Sequence, residues 1–150
     1  MTRTAILKGM ARWYGKNVVP RMPAYSLEKA GHATAVVMTE KNPAIGEMLL
    51  MNLIQPGVAA MVQTLAAAAE DDAMFDLAVS SLRDVVAKEP VQFPTPGKGP
   101  NPDGSLNMLS IGPADIALIA GEIRTAQQEI DNAAALAKAN APAQKEGGAK

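Results

Sequence analysis

The sequence contains no cysteine and a single histidine, and these two absences exclude several kinds of functional site. Without cysteine there is no disulfide framework, no thiol nucleophile and no iron–sulfur cluster. His32 alone cannot supply a site with several imidazole ligands. The glycine motifs that bind phosphate and the zinc-protease motif are absent as well. We therefore expect no catalytic, metal or cofactor site and predict that the protein is not an enzyme.

Aromatic residues are also scarce, at 3% of the 150 positions, although 48% of the chain is hydrophobic. Alanine accounts for 28 residues, and each alanine buries little apolar area. The sequence therefore predicts a lean core of aliphatic and methionine side chains. A chain of this length forms one domain or two small ones.

Apolar residues recur at helical spacing along most of the chain, and no alternating strand pattern is longer than about four residues. We predict an all-α fold of roughly four to six helices. The predicted organisation is a helical domain over residues 1–89, a Pro/Gly-rich linker or arm over 90–112, a long helix over 113–140 and a flexible tail over 141–150.

Local signals refine the helices of the first 89 residues. Asn42-Pro43 predicts a helix start, and Gln55-Pro56-Gly57 predicts a break, which together give a kinked central hairpin rich in alanine and methionine. Asp71 or Asp72 is expected to cap the next helix. That helix carries one apolar stripe at helical spacing, formed by Met74, Leu77, Ala78, Leu82, Val85 and Val86.

The first predicted helix is basic on one face. Lys8, Arg12 and Lys16 are spaced four residues apart, and residues 1–41 carry a net charge of +5 against −5 over residues 42–90. Cations on one face beside an aromatic side chain are typical of a helix that meets an anionic surface. The alternative is a solvated face on an ordinary helix that is docked through Ile6, Met10 and Trp13. The residues predicted to bind a partner here are Arg3, Lys8, Arg12, Trp13 and Lys16.

The long C-terminal helix carries the spacing of a coiled-coil seam, with isoleucine and alanine at alternating steps of three and four. The seam residues predicted to contact another helix are Ile116, Ile119, Ile123, Ala126 and Ile130. Isoleucine facing alanine lets two helices approach closely. We predict a homo-oligomer, or a subunit of a larger assembly, that depends on Ile119 and Ile123.

Residues 48–69 form a run of 22 positions without a charge, which is long enough to span a bilayer. Asn52, Gln55 and Gln63 oppose a span, because each polar side chain in hydrocarbon needs a partner. We predict a buried segment and keep membrane insertion as an alternative. No charged leader precedes an apolar stretch at the start, so we expect a cytoplasmic protein or one within a virus particle.

These features favour a non-enzymatic structural or assembly component of a multi-subunit complex. A lean helical chain with a Pro-rich arm, a helix seam and no catalytic set is typical of a repeated structural subunit, such as a virion protein of a phage particle. The alternative is a peripheral protein that binds an anionic membrane or nucleic acid through its basic N-terminal helix. Neither hypothesis involves a small-molecule substrate or a cofactor.

Overall fold

A computed structural model describes the backbone of residues 1–148 and the side chains through residue 141. Six α-helices dominate this part of the chain, accompanied by one 3₁₀ turn and two short strands, which confirms the predicted all-α class. The elements in order are α1 (Arg3–Asn17), the 3₁₀ turn (Val19–Arg21), α2 (Leu27–Lys41), α3 (Pro43–Leu53), α4 (Pro56–Ala67), α5 (Asp72–Lys88), β1 (Val91–Pro94), β2 (Met108–Ile111) and α6 (Pro113–Gly148).

The helix starts follow the capping chemistry of the sequence. Asn42 caps α3, and Pro43 is its first residue, as predicted. The predicted break also occurs, because α3 ends before Gln55 and α4 begins at Pro56. Asp71 caps α5, and its Oδ1 accepts hydrogen bonds from two backbone N–H groups of the first turn.

The Pro/Gly-rich segment 90–112, predicted as a linker or arm, instead begins and ends in a two-stranded antiparallel ribbon formed by β1 and β2. Phe93 pairs with Leu109, and both side chains are buried together with Ile111. The outward face carries exposed residues such as Gln92. Strands of four residues are too short for their alternation to stand out in a sequence full of proline and glycine.

Helix α1 lies at the centre of the fold and packs against α2, α3, α4 and α6. α6 runs antiparallel to it. The Thr2 N–H donates to Gln127 Oε1 at 2.6 Å near one end, whereas Trp13 and Asp115 line the same small cavity near the other. Between them the helices nearly touch, since a Cβ added to Gly9 would lie 2.5 Å from the backbone nitrogen of Ile123.

The C-terminal helix is longer than predicted. α6 continues to Gly148, whereas the sequence predicts a helix end near residue 140 and a flexible tail over 141–150. Alanine, glutamine, lysine and glutamate within residues 141–148 favour the extension by their helix propensity, whereas Pro142, Gly147 and Gly148 oppose it. The last two residues of the predicted tail, 149 and 150, lie outside the described residues. Residues 131–140 are exposed along their whole length.

The uncharged run 48–69 is divided between α3 and α4, which have 11 and 12 residues. Several of its larger apolar side chains, including Leu50, Val58 and Leu65, enter the core, whereas Met48 and Leu53 are exposed. α3 packs mainly on α2, and α4 packs on α1 and α5, so the two do not form the predicted hairpin against each other. Over the described part of the chain, no helix combines the length and apolar character that crossing a membrane requires.

Candidate interaction surfaces

The basic side chains of α1 face carboxylates of the same chain. Arg3 forms an ion pair with Glu47 on α3. At the other end of α1, Lys16 Nζ lies 2.5 Å from Glu122 Oε1 on α6. Lys8 and Arg12 both approach Glu40 on α2. The cations predicted to bind a partner are therefore paired within the fold.

Arg12 makes the most extensive of these contacts. Its Nε donates to Glu40 Oε1 at 2.6 Å, and its Nη2 donates to Glu129 Oε2 at 2.7 Å. The hydrogen bonds to Glu40 and Glu129 raise the pKa of Arg12, and the bond from Arg12 lowers the pKa of Glu129. One guanidinium thus joins α2 and α6 across α1.

Trp13, the aromatic residue predicted to accompany these cations at an interface, lies in the core with 3% of its surface exposed. Its neighbours on the buried side of α1 include Met10 and Tyr14. A side chain in this position cannot insert into a membrane or stack on a nucleotide without leaving the core. This burial favours the alternative interpretation, in which Trp13 docks α1 on the rest of the fold, and residues of the β-ribbon and of α6 line the same small cavity as Trp13.

The seam of α6 also has its partner within the chain. The four seam residues that are buried are Ile116, Ile119, Ile123 and Ala126, and Ile130 is half-buried at the edge of the same core. α1 packs directly on this part of α6. The predicted close helix–helix seam exists, but these side chains are not available for a second subunit.

The lone histidine is held in a buried polar pair. The Tyr14 hydroxyl lies 2.7 Å from His32 Nδ1, and the two rings are stacked with their centroids 5.5 Å apart. Burial lowers the pKa of His32 and raises that of Tyr14. Across the described residues, no group of three histidine or carboxylate side chains is placed to hold a metal ion.

Helices α4 and α5 leave an open groove of about 560 Å³ at the surface. Its walls and rim are formed by Thr64, Ala67, Ala68, Glu70, Asp71, Met74, Leu77, Ala78 and Ser81. Met74 is 52% exposed, and Leu77 is 58% exposed. Val85, one helical turn beyond Ser81, is 58% exposed as well. We call the outward side of α5 together with this groove the α5 surface.

The sequence predicts one apolar stripe on α5, but the structure shows two apolar sides. Phe75, Val79 and Val86 are buried in the core, whereas Met74 and Val85 point to solvent. The predicted stripe mixed residues of both sides. The sequence does contain a signal for the second side: the apolar residues of α5 occupy a wider arc around the helix than one buried face needs.

Charged side chains lie at both ends of the α5 surface. Glu70 and Asp71 are exposed at the rim of the groove, whereas Lys88, the last residue of α5, is exposed beside the exposed carboxylate of Glu89. The neighbouring acids have cationic partners, because the Met1 ammonium lies 3.6 Å from Asp72 Oδ1 and Arg124 Nη2 lies 2.7 Å from Asp76 Oδ1.

Comparison with known protein families, curated proteins and solved structures finds no match to this chain.

Proposed function

We propose that the protein is a non-enzymatic helical assembly component that joins other protein subunits through the α5 surface. The observation that carries this proposal is the exposure of Met74, Leu77 and Val85 on one helix beside an apolar groove. Leaving apolar surface in water costs about 25 cal/mol per Å². Contiguous apolar patches on soluble domains are typical of binding sites.

The contacts of the other candidate residues favour an apolar surface over a charged one. The cations of α1 are paired with Glu40, Glu47, Glu122 and Glu129, so binding an anionic membrane or a nucleic acid through α1 would break existing ion pairs. His32 is buried and engaged by Tyr14, which leaves it out of reach of a substrate. A repeated subunit of a virus particle is one setting that fits this proposal.

Photo-crosslinking tests the proposal in the cells that produce the protein. A photoreactive amino acid replaces Leu77 on the α5 surface, and a matched variant carries it at Leu118, which is 56% exposed on α6. Irradiation is expected to give discrete protein adducts from position 77 and none of these adducts from position 118. Absence of protein adducts at position 77, or the same adducts from both positions, would contradict the proposed function.

A further inference from the structure

The indole N–H of Trp13 has no hydrogen-bond acceptor within the described part of the chain. Trp13 is 3% exposed, and its Nε1 atom is buried without a partner. Among the side chains that the structure describes, no other buried nitrogen or oxygen atom is left in this state. Indole nitrogen can only donate, so no change of tautomer satisfies it. Because native folds satisfy almost all buried donors, an acceptor is expected beside this group.

Trp13 also lines a small cavity where three parts of the fold meet, and we call it the Trp13 cavity. The end of α1 and the turn that follows form one wall, the β-ribbon forms a second, and Asp115 in the first turn of α6 belongs to the third. The volume of the cavity is about 40 Å³. A water molecule needs roughly 10–15 Å³, whereas pockets for organic ligands usually exceed about 300 Å³. The cavity therefore has room for water but not for an organic ligand.

The walls of the Trp13 cavity offer acceptors to a water molecule. Asp115 Oδ2 accepts from the Gly112 N–H at 3.0 Å, and the second carboxylate oxygen of Asp115 can accept from a water. Asn17 Nδ2 donates to the Trp13 carbonyl oxygen at 2.9 Å, and the amide oxygen of Asn17 can accept in the same way. Arg21 lines the cavity as well, so an ion of either sign would meet a like charge on one wall. This pairing of charges favours a neutral ligand.

We propose that the Trp13 cavity binds an ordered water molecule that accepts a hydrogen bond from the Trp13 Nε1–H. The water donates its protons to acceptors of the walls, and Asp115 makes the stronger of these bonds because its carboxylate is charged. About three hydrogen bonds are typical of a buried water. The water thus joins α1 to the first turn of α6 where the β-ribbon packs on both. This inference does not involve the α5 surface, so it can fail without affecting the proposed function.

Nuclear magnetic resonance tests the site directly, because Trp13 is the single tryptophan and gives one indole N–H signal. A water that tumbles with the protein transfers magnetisation to a nearby proton with opposite signs in the laboratory frame and the rotating frame, whereas chemical exchange gives the same sign in both. We expect the opposite signs at Trp13 Hε1.

Tyr25→Trp provides the matched control, because Tyr25 is fully exposed and an indole there meets water that exchanges freely with the bulk. The indole added by this substitution is expected to lack the laboratory-frame transfer that Trp13 Hε1 shows. Exchange alone at Trp13 Hε1, or the same response at both indoles, would overturn the proposed water site.

Crystallography at a resolution that shows ordered water gives the second measurement. We expect density for a water about 2.7–3.2 Å from Trp13 Nε1 in the natural protein. A second protein carries at position 13 the benzothiophene analogue of tryptophan, in which sulfur replaces the N–H group and the shape is nearly kept. This replacement is expected to displace the water. A protein acceptor bonded to Nε1, no water at this distance, or a water that stays in place beside the sulfur would contradict the proposal.

Discussion

Replacing Gly9 by alanine is expected to destabilise the protein by forcing α1 and α6 apart. A Cβ at position 9 would lie 2.4 Å from Ile123 Cγ1, 2.5 Å from the Ile123 nitrogen and 2.6 Å from its Cα. Ordinary van der Waals contacts begin near 3.4 Å. Two of the three atoms belong to the helix backbone, so rotation of the Ile123 side chain cannot relieve the clash.

The magnitude follows from two opposing effects. Overpacking of a well-packed core costs about 1–3 kcal/mol, and more where backbone must move. Alanine in place of glycine within a helix stabilises by about 1 kcal/mol. The clash with Ile123 involves backbone, so the first effect exceeds the second and the net loss is about 1–2 kcal/mol or greater. In a protein of this size, about 1 kcal/mol lowers Tm by roughly 2–4 °C.

Gly31→Ala provides the matched control, because Gly31 lies within α2 and a Cβ there meets nothing within 4 Å. This variant is expected to be about 0.4–1 kcal/mol more stable than the natural protein. Urea and thermal unfolding, followed by circular dichroism, measure both variants. A Gly9→Ala protein as stable as Gly31→Ala would refute the close crossing of α1 and α6.

Two further perturbations test the core. Ile119→Asp is expected to unfold the chain, since it buries an unpaired carboxylate at a cost of about 3 kcal/mol or more. Light scattering and circular dichroism measure the outcome, and a folded monomer would contradict the assignment of Ile119 to the chain's own core. Stability is expected to fall as pH drops below about 6.5, because the pKa of His32 is lower in the folded state than in the unfolded chain, which then binds the extra proton. Glu28 partly opposes this shift. Urea unfolding at several pH values measures how steeply the free energy of unfolding changes with pH, and His32→Asn is expected to reduce this dependence. An equal pH dependence in both proteins would argue against this role of His32.

Local chemistry made most of the helices predictable. Asn42-Pro43, Pro56 and Asp71 act within one turn of the backbone, so their effect does not depend on the rest of the fold. The β-ribbon was not predictable in this way. Its two strands are separated by 13 residues, and its stability comes from packing Phe93 and Ile111 on the core.

The sequence pattern also could not identify which helix packs on the α6 seam. Heptad spacing at Ile116, Ile119 and Ile123 specifies a helix as neighbour, but an α-helix of the same chain and one of another chain satisfy it equally. The spacing of the basic residues on α1 has the same ambiguity. In the fold, Gly9 identifies α1 as the neighbour of α6, since it has no side chain where Ile123 approaches.

Charged groups are paired within most of the fold but not at the acidic rim of the α5 surface. The basic excess of residues 1–41 is largely used within the fold, where Arg12 alone engages two carboxylates. Asp72 and Asp76 of the acidic block have cationic neighbours, whereas Glu70 and Asp71 have no ion-pair partner in the part of the chain that the structure describes. Burying these two carboxylates without a partner would cost free energy, so a subunit that covers the adjoining Met74 is expected to leave them in water or to offer them a cation.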